Sequence, residues 1–247
     1  MTRKSWTDGP MTAWDTETTG KDSETARIVT SATAAIRPGE TTVTAEWLIN
    51  PGVEIPAEAT AVHHITTEQA REQGVKAEAG VAAIVAHLLA EAVQGVPLVI
   101  YNAKYDLTVL DRECRRYGLE TLSEECASNN VELFVIDPFV LDKAVDRFRK
   151  GKRTLSVTAA HYGIELTEDE AHTAAGDCLA AARVAWKVGR AYSEVGTLGL
   201  GQLMKYQAEA HAEWAEGFER YLREKKNEPD AVISRDWPIV PLVEVAA

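Results

Sequence analysis

Two acidic residues, Asp15 and Glu17, stand two positions apart where a short apolar run meets a turn closed by Gly20. In an extended strand, residues i and i+2 point to the same face, so the two carboxylates are aimed at one place. Like charges that close repel each other unless a cation lies between them. Carboxylate oxygens are the ligands that Mg²⁺ and Mn²⁺ prefer. The pair therefore predicts a divalent-metal centre that other residues must complete.

The apolar runs predict an α/β fold. Three runs rich in β-branched residues come first, at 11–16, 28–36 and 42–49. Short buried strands at 98–101 and 133–136 follow. They alternate with helical patterns at 78–93, 104–117, from 138 onwards, 155–162 and 173–192. This order predicts a meander that leads into a mixed sheet flanked by helices.

A different pattern begins near residue 197. Apolar residues at three- and four-residue steps predict an amphipathic C-terminal helix, and the last segment, 237–247, has no periodicity. We therefore divide the chain into three parts. These are an N-terminal arm (1–10), a main domain (11–195) and a C-terminal helix with an irregular tail (196–247).

Composition narrows the class of partner and the compartment. The net charge of -12 argues against a broad basic surface for duplex nucleic acid, but not against an enzyme that grips a few nucleotides. The three cysteines are scattered and odd in number, which favours a reducing, cytoplasmic location. We expect no signal peptide and no membrane association, because no apolar run is long enough.

One candidate to complete the site is Asp106. It begins a predicted helix directly after the buried strand at 98–101, where open α/β sheets place their sites. Helix capping or stabilisation of the helix dipole would also explain an aspartate at this position.

Two further candidates, His172 and Asp177, lie at the start of the predicted helix at 173–192. On one continuous helix their side chains would point about 140° apart. For both to serve one site, His172 must belong to the loop before the helix, where a histidine can act as a general base. The alternative is a solvent-exposed loop residue.

In this order and spacing, the segments resemble the DnaQ-like exonucleases of the DEDDh type. The motifs that carry the resemblance are residues 15–20, 102–106 and 172–177, with support from 61–66 and 155–164. Each motif is weak singly, and the ordered set is specific. Two positions depart from the pattern: Tyr105 stands where the family often has phenylalanine, and His64 where it usually has glycine.

The resemblance implies an RNase H-like mixed sheet, an antiparallel meander plus parallel strands, and a phosphodiesterase that releases nucleoside 5′-monophosphates from 3′ ends. It implies two Mg²⁺ ions, for which Mn²⁺ would substitute, and whose formal charge four carboxylates balance. The implied catalytic residues are Asp15, Glu17, Asp106, Asp177 and His172, of which the four acidic ones hold the metal. The implied substrate-binding residues are Thr18, Asn102 and His63.

We expect single-stranded or frayed DNA as the substrate, and two alternatives stay open. An RNA-directed exonuclease, of the RNase T or oligoribonuclease kind, would use the same ligands, and no residue reports on the 2′-hydroxyl. A catalytically idle exonuclease fold could serve as a polymerase partner. That alternative is disfavoured because clustered carboxylates without a metal cost free energy.

Three features bear on partners. Residues 138–153 hold six basic side chains against two acidic ones, and this segment could track phosphates or form a solvated face. Residues 202–206 faintly resemble peptides that bind sliding clamps, but they fit the amphipathic helix better. We expect Trp214, Phe218 and Tyr221 to pack that helix onto the core, or against a second copy in a homo-oligomer, rather than to bind bases.

Overall fold

The computed structural model describes residues 5–165 and 173–242. Within them, six strands form one sheet. The strands are β1 (Met11–Thr18), β2 (Ile28–Ile36), β3 (Val43–Asn50), β4 (Val75–Lys76), β5 (Leu98–Val99) and β6 (Val135–Ile136). The helices are α1 (Ala57–His63), α2 (Thr67–Gln73), α3 (Ala77–Val93), α4 (Ala103–Arg116), α5 (Leu122–Ser128), α6 (Pro138–Val145), α7 (Leu155–His161), α8 (Ala174–Ala191), α9 (Ser193–Gly196) and α10 (Leu200–Lys225).

The sheet is mixed, as the sequence predicts. Its order is β4-β3-β2-β1-β5-β6. The first three strands form an antiparallel meander, and β5 and β6 then run parallel to β1. The carboxyl ends of β1 and β5 therefore meet at the same edge, which is where open α/β sheets place their functional sites.

Helices cover both faces of β1, so this strand is buried on both sides. Ala13 packs in one cluster with Ala181 and Ala185 of α8. Trp14 points the other way, packs in a second cluster with residues of α3 and α4, and donates from Nε1 to Ser31 Oγ at 2.8 Å. Because side chains alternate along a strand, Asp15 and Glu17 share the α8 face with Ala13.

Four short helices, α1, α2, α5 and α9, are absent from the sequence-based assignment. The first three have seven residues and α9 has four, which is too short for a helical period to be recognised. The predicted strands at 98–101 and 133–136 shorten to two residues each. No helix in the described ranges is both long and apolar enough to cross a lipid bilayer.

The C-terminal helix α10 and the segment after it pack onto the sheet end and onto α4. Leu203 is fully buried, and the thioether sulfur of Met204 accepts the Val135 N–H at 3.1 Å. Trp237 is also buried, and the N–H of Val240 donates to Thr108 Oγ1 at 3.0 Å. The central residues of the clamp-like segment 202–206 therefore face the core, as expected if they belong to the amphipathic helix.

Candidate metal centre and active site

Three carboxylates converge at the end of β1. Asp15 and Glu17 extend from β1, and Asp177 extends from the first turn of α8, which covers the same face. One ligand oxygen from each lies within 4.8 Å of the others. The alternation of the strand and the position of the helix start, both read from the sequence, bring these three side chains together.

Asp106 joins the group from the opposite layer. It lies in the first turn of α4 and is buried, and Thr16 Oγ1 donates to its Oδ1 at 2.6 Å. All four carboxylates line one cavity of about 410 Å³. The switch between the antiparallel and parallel parts of the sheet thus brings carboxylates from three elements to one place.

The electrostatics of this group disfavour its charged form when the protein is alone. Burial, followed by the charges of Asp106, Asp177 and Glu17, raises the pKa of Asp15 well above its ordinary value. Burial, followed by the charges of Asp177 and Asp106, raises the pKa of Glu17 to about 8. Burial also raises the pKa of Asp106 to about 7, although the Thr16 hydrogen bond opposes this shift.

The chemistry of this donor set fits divalent cations. Within residues 5–165 and 173–242, no lysine or arginine forms an ion pair with Asp15, Glu17 or Asp106. Arg153 lines the same cavity, but its guanidinium pairs with Asp142 at 2.5 Å. Carboxylate oxygens that lie this close repel each other and are suited to Mg²⁺ or Mn²⁺.

The turn after Glu17 is held by Tyr105. The pairing of β1 with β2 shifts register between Glu17 and Thr18, a bulge of the kind often found beside active sites. The Oη of Tyr105 lies 2.6 Å from Thr18 Oγ1 and donates to the carbonyl of Gly20. Phenylalanine could not make these bonds, so this departure from the family pattern fixes the turn.

The three predicted substrate-binding residues occupy different positions. Asn102 lines the cavity and adopts a left-handed conformation, with φ of 66°. Thr18 forms a hydrogen bond with Tyr105, which lines the cavity. His63 is buried, and its Nδ1 accepts the Ile65 N–H at 3.1 Å. Its neighbour Val62, rather than His63, lines the cavity.

The other departure, His64, ends α1 in a left-handed conformation with φ of 63°. Glycine adopts this conformation without steric cost, so the usual glycine of the family is explained by the backbone here. The backbone follows the same turn with histidine in place.

His172, the predicted general base, lies outside the described residues. Helix α8 begins at Ala174, after Thr173, whose side chain accepts the Gly176 N–H at 3.1 Å as the N-cap. Thr173 and Ala174 are thus the N-cap and the first residue of α8. The role of His172 stays a prediction.

A family model of exonucleases matches residues 12–185, which include all four carboxylates. The chain belongs to this exonuclease family. A protein of Escherichia phage 186, named an uncharacterized exonuclease, is 32% identical over 186 residues, covering 71% of this chain and 86% of the relative. The DNA polymerase III subunit epsilon-like protein of Rhodobacter capsulatus is 32% identical over 137 residues, covering 56% of this chain. The match spans 17% of that relative's length.

Solved structures of exonuclease I share the DnaQ-like, RNase H-like fold of this exonuclease. The Escherichia coli enzyme in complex with a dT13 oligonucleotide superposes with a TM-score of 0.61 at 18% identity, covering 76% of this chain and 43% of that one. The enzyme of Methylocaldum szegediense superposes with a TM-score of 0.64 at 20% identity, covering 84% of this chain and 46% of that one. This chain therefore spans less than half the length of those structures.

Sequence reasoning missed one residue that supports the exonuclease site. Asp137 is buried, and its carboxylate accepts the N–H groups of Asn102 at 2.9 Å and Ala103 at 3.0 Å, at the start of α4. It also caps α6 through Phe139 N–H at 3.0 Å, and accepts from Trp237 Nε1 at 3.2 Å. The Asp-Pro pair at 137–138 is a helix-start signal that indicates only the capping of α6.

Proposed function

We propose that this exonuclease hydrolyses the 3′-terminal phosphodiester of single-stranded or frayed DNA and releases nucleoside 5′-monophosphates. The observation that carries the proposal is the convergence of four carboxylates from β1, α4 and α8 in one cavity. Family membership supports nuclease chemistry. Structures of exonuclease I with bound dT13 and dA16 oligonucleotides support single-stranded DNA as the substrate.

Asp15, Glu17, Asp106 and Asp177 would hold two divalent ions, Mg²⁺ or Mn²⁺. When bound, such ions supply positive charge that stabilises the attacking and leaving oxygens of an in-line displacement. The Thr16 hydroxyl fixes the Asp106 carboxylate at 2.6 Å. We assign His172 the role of general base, which accepts a proton from the attacking water.

The remaining cavity residues suit a terminal nucleotide. Tyr101 and Phe139 offer aromatic rings with centroids 5.6 Å apart, and Asn102 and Thr154 offer polar groups. Rings can stack on bases without regard to sequence. The turn that carries Thr18, held by the Tyr105 hydroxyl, lies beside the metal ligands and would contact the sugar.

The proposal also covers the compartment in which the enzyme acts and the protein partner with which it acts. The three cysteines are buried and free, which fits a reducing, cytoplasmic compartment. The name of the Rhodobacter relative makes a DNA polymerase the class of protein partner to test. Co-purification of the chain with a replicative polymerase from the same organism would support that role.

The test compares matched DNA and RNA strands that carry a label at the 5′ end, in Mg²⁺ and in EDTA. We expect a ladder shortened from the 3′ end of single-stranded DNA, 5′-monophosphates as products, and no reaction in EDTA. Asp15→Asn serves as the inactive control. Internal cleavage, or shortening of labelled strands from the 5′ end, would overturn the proposed hydrolysis from the 3′ end. A preference for RNA would overturn the assignment of DNA as the substrate.

A further inference from the structure

Three aromatic residues in the second half of α10 are largely turned to solvent, whereas Tyr206 in its first half packs against the core. Trp214, Phe218 and Tyr221 are 37%, 36% and 45% exposed, which corrects the sequence-based expectation of core packing. Their spacing of four and three residues places them on one side of the helix. The Trp214 and Phe218 rings are stacked with centroids 5.3 Å apart, and the Phe218 and Tyr221 rings are stacked at 6.3 Å.

This row of rings continues into the catalytic cavity. Lys143 Nζ lies 3.0 Å from the Trp214 ring centroid and 4.5 Å from that of Phe139. Phe139 and Tyr101, in turn, line the cavity that holds the carboxylates. The row Tyr101, Phe139, Trp214, Phe218 and Tyr221, called here the aromatic row, thus leads from the site along α10.

A groove accompanies the outer part of the row. It has a volume of about 550 Å³ and lies between α6 and α10, with Arg147, Trp214 and Phe218 in its wall. Arg153 lines both this groove and the catalytic cavity, so the two are adjacent. Lys150, Lys152 and Phe148 are exposed on the segment that follows α6, and the Phe148 side chain is 89% exposed.

We propose that the aromatic row is the track for the single strand upstream of its 3′ end, with successive bases stacked on Phe139, Trp214, Phe218 and Tyr221. The inference rests on the proposed function and adds where the rest of the strand binds. Exposed rings in a row stack on any base, because every base has a π-face. Continuity with the catalytic cavity favours this occupant over a second copy of the chain.

The charges beside the row indicate that stacking outweighs phosphate contacts. Arg149 and Arg153 are committed to buried Asp142, and Arg147 pairs with Glu213 at 2.7 Å. Burial lowers the pKa of Lys143 to about 7, which weakens its positive charge near neutral pH. The exposed cations beside the row include Lys150 and Lys152, and Lys226, whose Nζ lies 5.8 Å from the Tyr221 ring centroid. We therefore expect a shallow salt dependence, with a log–log slope of about -2 or less in magnitude.

The test separates the track from the catalytic site by strand length. For a labelled 16-nucleotide oligo(dT), Trp214→Ala and Phe218→Ala should each raise the Kd about 10-fold in EDTA, where no hydrolysis occurs, and the KM similarly in Mg²⁺. The KM for a thymidine dinucleotide, which does not reach α10, should stay within about twofold. Trp214→Phe should retain most of the affinity.

Trp186→Ala is the matched control, because Trp186 is 40% exposed on α8 and does not line the catalytic cavity. Equal weakening by Trp186→Ala would overturn the proposal, and so would equal effects on long and short substrates. Unchanged binding of the 16-nucleotide strand in both alanine variants would overturn it too. So would a dimer in solution that either alanine variant dissociates, because the row would then be an interface between copies.

The binding measurement in EDTA needs no nuclease activity. Wild-type protein that binds the strand but never cleaves it would therefore contradict the proposed function alone. Wild-type protein that cleaves dinucleotides and long strands with equal KM would contradict the track alone.

Discussion

The protein surrounds two groups of carboxylates in opposite ways. Asp142 accepts hydrogen bonds from Arg149, Arg153 and Tyr162, so its charge is neutralised within the fold. Asp137 accepts N–H groups from the starts of α4 and α6 and from Trp237. The carboxylates at the end of β1 lie instead within reach of one another.

This difference distinguishes carboxylates that stabilise the fold, Asp137 and Asp142, from those that form the candidate site. A buried carboxylate that is surrounded by donors holds elements together, and breaking such an arrangement leaves groups buried without partners. Carboxylates that face each other destabilise the fold until a cation offsets their repulsion. The same residue type therefore stabilises one region and prepares the other for a ligand.

The largest expected effect is on catalysis, at the carboxylates gathered at the end of β1. Asp15→Asn should lower Mg²⁺-dependent nucleotide release about 10³-fold or more, because several kcal/mol of transition-state stabilisation depend on the metal. Steady-state rates on single-stranded DNA measure this loss. Glu40→Gln, which changes an exposed carboxylate on the β2–β3 turn, is the matched control and should keep full activity.

The next effect is on stability at the neutralised group. Asp142→Ala should lower the free energy of unfolding by about 3 kcal/mol, because the largely buried guanidinium groups of Arg149 and Arg153 would lose the carboxylate that they share. Urea denaturation of the variant and of Glu40→Gln provides the comparison. A loss as small as that of the control would show that Asp142 is not structural.

A smaller loss of stability is expected at Asp137. Asp137→Asn should cost about 2 kcal/mol, because an amide accepts fewer hydrogen bonds and turns its own NH₂ toward the surrounding donors. Metal binding should survive, since Asp137 lies behind the cavity wall and supports Asn102. Thermal unfolding with and without Mg²⁺ measures both effects, and a loss of the Mg²⁺ response would make Asp137 part of the metal site.

Removal of the metal should have a still smaller effect on stability. At ten times its Kd, Mg²⁺ should add about 1.4 kcal/mol to the wild-type free energy of unfolding. The gain should persist in Asp137→Asn and vanish in Asp15→Asn. Thermal melts in Mg²⁺ and in EDTA test this. An equal gain in both variants would show that the ion does not bind at the carboxylate group.

The smallest effect has the opposite sign to that of most core mutations. In EDTA, Asp15→Asn should be more stable than the wild type by about 1 kcal/mol, because on folding the Asp15 carboxyl must either carry a repelling charge or take up a proton, and the amide does neither. Urea titration at neutral pH measures the difference. A wild type more stable than the variant without metal would show that the repulsion has been overestimated.

Much of this fold follows from the sequence because its longest elements carry clear periods. The bounds predicted for β2 match the structure, and those of α3, α4 and α8 lie within about one residue of it. Strand alternation predicts that Asp15 and Glu17 share a face, and the position of Asp177 at a helix start brings it to them.

The rest depends on contacts between distant residues. The role of Asp137 requires Trp237, one hundred positions away, which no local pattern reports. The sequence pattern also fails to predict the orientation of α10, because the face of this helix that packs inward includes polar residues. These are Gln207, His211 and Glu219, alongside Leu203 and Ala215. Gln207 donates to the carbonyl of Val135 at 2.9 Å, so a polar side chain occupies a core position, whereas Trp214 remains outside.

The central claim is that the carboxylates gathered at the end of β1, and not Asp137 or Asp142, bind the catalytic metal. Electron paramagnetic resonance of Mn²⁺, titrated into the protein with a nucleoside 5′-monophosphate present, tests it most directly. We predict two bound ions per chain in the wild type and in Asp137→Asn, and loss of that binding in Asp15→Asn. Unaltered Mn²⁺ binding in Asp15→Asn would contradict the claim.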